Sequence, residues 1–434
     1  MTRLGKIGRL MLAAGVALMA VTSCDAERRG ARGFDDVPSL RAIWAGHFPL
    51  GNIAASVDYS WRPARVRDIG NPERERLLAR HFDIVTAEDE MKPDWLRPTP
   101  GAFNASGADA IVNFARANGL RVHGHTLVWH SQSPWWLNLA SAPPAGWTYS
   151  SAEPATLPRE QAIANMQSHI EMVMRHFGDS VESWDVLNEV FQSSVNFPVR
   201  QDNWRSALRD APWLRAIGSD PDGDCFIWIA FTTARRVADE INPGMVLYYN
   251  DYNEEQPNKR DAIYHMVREM NERFARENDG RRLIDAIGMQ AHYHRGHVDH
   301  GDARFPWGPV NVDNVRAAIE HFASLGVYVS ITELDVTVGH TGLRPLTPEQ
   351  EREQAILFAR LFQVFRDNSR HIRRVSIWGL NDSASWRSEG SPLLFGEDFR
   401  PKEAFWAVAN PDAFLADADA FLANPRAFLD SRYW

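Results

Sequence analysis

From about residue 45 onward, short apolar runs alternate with longer amphipathic stretches, which is the pattern of repeated β-α units. Eight such runs fall at 51–57, 82–87, 121–127, 181–187, 245–250, 283–290, 327–332 and 373–380. Helical periodicity between them predicts helices over 161–177, 226–241, 260–277, 312–325 and 349–367, the last opened by Thr347 as N-cap and Pro348 in the first turn. Eight parallel strands with intervening helices predict a closed (β/α)8 barrel of the TIM type, one α/β domain over 37–410 with no low-complexity linker inside it. A Phe/Leu/Ala pattern over 411–434 reads as a tail carrying one more short helix.

Residues 1–24 break the pattern. Arg3, Lys6 and Arg9 precede an apolar run at 11–21 and the small-residue stretch Val21-Thr22-Ser23-Cys24. A charged start, an apolar run too short to span a bilayer and a cleavage site make an export signal. A cysteine at that point resembles a bacterial lipoprotein signal, in which the Cys24 thiol is acylated and becomes the new N-terminus. Residues 25–36, with Arg28, Arg29 and Arg32, then form a short tether. The expectation is an exported protein anchored to a membrane through lipid on the periplasmic or cell-surface side, and otherwise secreted.

Composition narrows the partners. A chain of 434 residues with 44% hydrophobic content can bury a large core, and its formal net charge of -9, with no basic stripe to offset it, argues against a nucleic-acid partner. Sixteen tryptophans offer flat ring faces that suit sugars, although most large aromatics belong to cores. Cys24 and Cys225 are the two cysteines, too few for a disulfide framework or a cysteine metal site. The local cluster His292, His294, His297 and His300 lacks zinc-ligand spacing, so neither metal nor cofactor is expected, and a monomer is.

The polar residues gather where the predicted strands end. Glu88 follows the second run, His125, Trp129 and His130 the third, Asn188 and Glu189 the fourth, and Asn250 and Tyr252 the fifth. Gln290 and His292 follow the sixth and Glu333 and Asp335 the seventh, while Trp378 falls on the eighth. In a barrel those ends converge on the face where chemistry is done. Glu189 and Glu333 each sit just past an apolar run and three strands apart, so they can face one another across the mouth. Glycosidic cleavage needs such a pair, one carboxyl to protonate the leaving oxygen and one to capture the oxocarbenium-like centre. Either glutamate alone would be an ordinary strand-end carboxylate.

The segments Glu88-Asp89-Glu90-Met91-Lys92, Gly124-His125-Thr126-Leu127-Val128-Trp129-His130, Trp184 to Glu189, Ile331 to Asp335 and Ser385-Trp386-Arg387 resemble, in order, the signature blocks of glycoside hydrolase family 10, the xylanases. The resemblance spans roughly residues 45–410 and implies a retaining endo-β-1,4-xylanase acting on xylan or xylo-oligosaccharides. It makes Glu333 the nucleophile and Glu189 the acid/base, with the charge of Glu333 raising the pKa of Glu189. It also makes His292 and Asp335 the pair that supports the nucleophile, and Asn188 the holder of the sugar 2-hydroxyl. Glu88, Asp89, Lys92, His125, Trp129, Gln132, Gln290, Trp378 and Trp386 match substrate-binding positions, mostly on the glycone side, and Tyr252 matches an aglycone platform. Two positions depart from the family pattern, Asp89 where asparagine is usual and Asn381 where a threonine-like residue is. The loop at 140–159 can also reshape the cleft. Two alternatives stay open: a β-glycanase acting on decorated xylan or mixed-linkage glucan, and a non-catalytic sugar-binding lipoprotein.

Overall fold

Each apolar run becomes a strand, with boundaries moved by a few residues. The computed structural model describes residues 36–58, 67–144, 154–220, 223–295, 310–338 and 346–434, so the leader with Cys24, all of the tether but its last residue, His297, His300 and residues 145–153 of the loop at 140–159 lie outside the described residues. The strands are β1 (Leu50–Ala54), β2 (Ile84–Ala87), β3 (Arg121–Gly124), β4 (Ser183–Asn188), β5 (Val246–Asp251), β6 (Ala286–Met289), β7 (His292–His294), β8 (Tyr328–Thr337) and β9 (Ile372–Ile377). All pair in parallel, and the ring β1-β2-β3-β4-β5-β6-β8-β9 closes where β9 lies beside β1. This is a closed eight-stranded barrel with helices between its strands.

Three details differ from expectation. The barrel has its eight expected strands, but among the described residues a ninth stands outside the ring, because Ala291 takes a φ of 59° and breaks the sixth run from the three residues that follow. Those residues, β7, extend beyond the ring and pair only with the outer end of β8, which sets His292 directly opposite Asp335. Next, β8 runs on to Thr337, so Glu333 and Asp335 lie within the strand and not past its end, whereas β9 stops at Ile377 and leaves Trp378 just beyond it. Lastly, the tail forms two short helices, Pro411–Ala416 and Ala418–Ala423, each capped by a side chain, from Asn410 and from Asp417. Their Phe414 and Phe421 are buried, and Asp412 pairs with Arg366 at 2.7 Å, so the tail is packed against the helix Pro348–Asp367.

The helices Arg159–Phe177, Phe226–Ile241, Pro257–Glu277, Val312–Ala323 and Pro348–Asp367 cover the strands from outside. Thr347 and Gln350 exchange hydrogen bonds as a capping box at the start of the last. With both faces covered, β4 and β5 are buried at every position, as parallel strands require. Packing is tight enough to dictate residue size. A Cβ at Gly124 would fall 2.2 Å from the ring of Trp184, which is wholly buried. One at Gly288 would fall 2.3 Å from Oδ1 of Asn250.

The two strands that carry the glutamates share a further feature. The β4–β5 register shifts between Asp185 and Leu187, and the β8–β9 register shifts between Ile331 and Leu334. A bulge re-aims the side chains that follow it. Glu189 sits just past the first irregularity and Glu333 inside the second.

Candidate active site

Glu333 is held from two sides. Its Oε1 accepts the Asn250 amide at 2.8 Å, and its Oε2 lies 3.1 Å from Nε2 of His292. Nδ1 of the same imidazole lies 2.9 Å from Oδ2 of Asp335, to which Trp386 also donates its indole N–H at 3.0 Å. Arg387 closes the far side by pairing with Oδ1 of Asp335 and donating to the Tyr293 carbonyl at 3.1 Å. Burial alone would push the His292 imidazole down, but Asp335 and Glu333 outweigh it and raise it to about 9. Burial likewise pushes Asp335 up, and Arg387 with His292 overrides it and holds the carboxyl low. At neutral pH the nucleophile candidate therefore faces a cation.

Glu189 stands on the opposite side. Its Oε1 accepts from Gln290 at 2.9 Å and from the Asn188 amide at 3.3 Å, and its Oε2 lies 3.8 Å from Nε2 of His130. Asn188 Oδ1 in turn accepts from Asn250 at 3.0 Å and Gln290 at 3.2 Å. One unbroken hydrogen-bonded path, Glu189–Gln290–Asn188–Asn250–Glu333, thus links the two carboxylates. Fixed amides of this kind hold both acids before any sugar arrives.

The pKa expectation for Glu189 is corrected. Burial raises its carboxyl, but His130, the Gln290 amide and Arg209 together turn the net direction downward. The His130 pull exists only while that imidazole is charged, and burial holds it at about 4, so near pH 7 it drops out. What remains is a contest between burial, which favours the protonated acid, and the Gln290, Arg209 and Trp129 contacts, which oppose it.

The expected glycone-side residues form a second cluster at the ends of β2 and β3. Lys92 Nζ is 2.7 Å from Oδ1 of Asp89 and 2.8 Å from Oε1 of Gln132, and Gln132 donates to the same Asp89 oxygen at 3.1 Å. The ammonium lies 5.2 Å from the centre of the Trp129 ring, within cation–π range. Glu88 is buried at the end of β2 beside this group in the chain. His125 Nδ1 is 2.8 Å from Asp185, which also meets His123 at 3.0 Å. Trp378 stacks edge-on between His125 and His292, at 5.6 and 6.3 Å, while Trp386 leans on His292 at 4.9 Å with nearly half of its surface exposed. Tyr252 accepts Nη2 of Arg209 at its hydroxyl at 2.8 Å. Lys259 sits 4.0 Å from its ring centre and pairs with Asp251 at 2.7 Å, both side chains fully buried. Removing one member of such a pair costs about 3–5 kcal/mol, so Tyr252 stands on a rigid base. Asn381, the second departure, is buried and bonds Ser383 and the Glu397 carbonyl, a structural role.

Four residues with evident roles carried no assignment from the sequence. Asn250 bridges the two glutamates, Asp185 orients His125, Arg209 donates to the Glu189 carbonyl at 3.2 Å, and Asp94, behind Lys92, is raised to about 7 by burial, with Lys92 opposing and Asp89 adding to the rise. Asn250 and Asp185 were within reach, since one follows the fifth run and the other lies inside a quoted block. Arg209 and Asp94 lie in irregular or short segments where periodicity gives no signal. Among the described residues no three His, Cys, Asp or Glu side chains are disposed to hold a metal.

The chain matches the sequence profile described as Glycosyl hydrolase family 10 over residues 54–411. It is 34% identical over 391 residues to the endo-1,4-beta-xylanase A of Thermoanaerobacterium saccharolyticum and 33% identical over 391 residues to the exoglucanase XynX of Acetivibrio thermocellus, each alignment covering 88% of this chain. The chain spans only 28% and 30% of the lengths of those two relatives. Among solved structures, the xylanase XynB of Paenibacillus barcinonensis, complexed with a conduramine derivative, superposes with a TM-score of 0.69 at 30% identity, covering 87% of this chain and 99% of that one.

Proposed function

The chain belongs to glycosyl hydrolase family 10, and from that premise we propose that it is a retaining endo-β-1,4-xylanase that cuts internal bonds of xylan. The observation that carries this reading is the amide path from Glu189 to Glu333, with the His292 cation against the second carboxylate. Ionised Glu333 attacks the anomeric carbon while Glu189 gives its proton to the departing oxygen. With Glu333 esterified, Glu189 takes a proton from water, and the water displaces the ester. Asn188, already polarised by Asn250 and Gln290, meets the 2-hydroxyl at the cleavage point. Trp378 and Trp386 close the glycone side, where a hexose would need room for its hydroxymethyl group, and this favours xylose units.

The test is reducing-sugar release from xylan, cellulose and mixed-linkage glucan under one set of conditions. Fast release from xylan alone supports the assignment, and faster release from either glucan overturns it. On xylotriose and xylotetraose, Asp89→Asn is expected to raise kcat/KM about threefold. The amide oxygen keeps the Lys92 and Gln132 contacts seen at Oδ1, while the new N–H can donate to a sugar hydroxyl that a carboxylate can only accept from, a gain at the low end of one hydrogen bond. A fall of more than about tenfold, 1.4 kcal/mol, would instead make Asp89 a dedicated contact to another polymer.

We also propose export with a lipid anchor on Cys24, supported by the order of charged, apolar and small residues that precede it. Cys24→Ser is expected to move the protein from the membrane fraction to the soluble one, and unchanged fractionation would refute the anchor.

A further inference from the structure

We infer that Arg209 is a positioning residue that ties the acid/base Glu189 to the aglycone-side platform Tyr252, an inference that rests on the roles proposed above for those two residues. Glu189 holds a φ of 56°, a left-handed conformation that a residue with a side chain keeps only when its surroundings fix it. Its N–H is held by the Asn250 carbonyl at 2.9 Å, and its own carbonyl accepts Nε of Arg209 at 3.2 Å. Both peptide groups of the acid are therefore clamped, one by β5 and one by this guanidinium.

Arg209 is itself fixed in place. Its backbone N–H donates to Val190 at 2.8 Å, and its Nη2 donates to the Tyr252 hydroxyl at 2.8 Å, which Ser193 also contacts. One planar fork thus spans the backbone of the proton donor and the phenol on which a leaving sugar would rest. Arg209 is a direct link by which a displacement of Tyr252 on sugar binding reaches Glu189. The side chain is nearly wholly buried, so its charge acts on the carboxylate with little screening by water. It acts in company with His130 and Trp129 from the segment after β3, Gln290 from the end of β6 and Asp251 from β5, while Lys259 from the following helix bears on His130. Arg209 is one of the groups that pull the Glu189 carboxyl down, in agreement with the geometry.

The coupling is tested with two aryl β-xylobiosides, a phenyl glycoside whose leaving group needs a proton and a 2,4-dinitrophenyl glycoside whose leaving group does not. For Arg209→Met, kcat/KM on the phenyl substrate is expected to fall about 10- to 100-fold, part of what a general acid supplies, while the dinitrophenyl substrate stays within about threefold. The basic limb of the phenyl pH profile should move upward, since a cation that favours ionised Glu189 is gone. Arg209→Lys keeps a charge but cannot span both contacts, so it should restore the basic limb without restoring the rate. An equal loss on both substrates, or an unchanged phenyl rate, overturns the proposal. If Arg209→Met does not fold, as judged by circular dichroism, the same substrate ratio and pH limb are read on Arg209→Lys and on Tyr252→Phe, which cuts the link at the hydroxyl; no change of ratio in both overturns it. Glu189→Ala separates the two failures. An equal loss on both substrates in that variant refutes Glu189 as the acid, whereas a selective loss there with none in the Arg209 variants refutes only the coupling.

Discussion

Replacing Glu333 by glutamine is expected to lower kcat/KM on xylan by more than about four orders of magnitude, roughly 5.5 kcal/mol at 1.36 kcal/mol per decade. Two losses combine. The amide cannot form the glycosyl ester, and it removes the negative charge that faces the oxocarbenium-like centre. The site around it was built for an acceptor at both oxygens, one meeting the Asn250 amide at 2.8 Å and one meeting the His292 ring at 3.1 Å. Glutamine supplies one acceptor and one donor, so one contact turns donor against donor at a cost of about 1–3 kcal/mol. The barrel should survive this, because Glu333 contributes none of the apolar packing, and circular dichroism should match the parent. Activity within tenfold of the parent would remove Glu333 from the chemistry.

Replacing Glu189 by alanine should produce a loss that depends on the leaving group. General acid catalysis contributes about 10²- to 10⁴-fold, so kcat/KM on xylan should fall by that range. An aryl glycoside with a strongly acidic phenol needs no proton, and its first step should stay within about tenfold of the parent. The second step still lacks its base, so the glycosyl-enzyme accumulates and a burst of phenol precedes slow turnover. Neither His130 nor Gln290 can stand in: burial holds the imidazole at about 4 and the amide carries no exchangeable acid near neutral pH. Equal losses on both substrates, without a burst, would contradict the assignment.

The barrel and its chemically important face were legible because two periodicities alternate and polar residues keep one phase against them. Eight apolar runs, six of them leading into ionisable or amide side chains and one carrying Trp378, are hard to reconcile with any other closed arrangement. The helix Phe226–Ile241 coincides with its expected span because its apolar period runs from end to end, whereas Pro257–Glu277 starts three residues early, at a proline that the period omits. What sequence could not supply was the local irregularity. The left-handed turn at Ala291 creates β7 and so places His292 against Asp335, and nothing in an alanine announces that turn. The bulges around Asp185 and Glu333 are equally silent. Electrostatics misled in a specific way. Charge repulsion from Glu333 was the expected lift on Glu189, but burial is the lift, and His130, the Gln290 amide, Arg209 and Trp129 together turn the net direction downward. Arg209 enters from an irregular stretch about twenty positions past Glu189, where neither period nor motif points to a partner.

The account's central claim is that these two glutamates act by double displacement, and the stereochemistry of the first product tests it most directly. Proton NMR of xylohexaose hydrolysis, recorded within the first minutes before mutarotation, should show the β-anomer of the new reducing end rising first and the α-anomer following as it equilibrates. An α-anomer that forms first would mean direct attack by water between widely spaced carboxyl groups, and would contradict Glu333 as nucleophile.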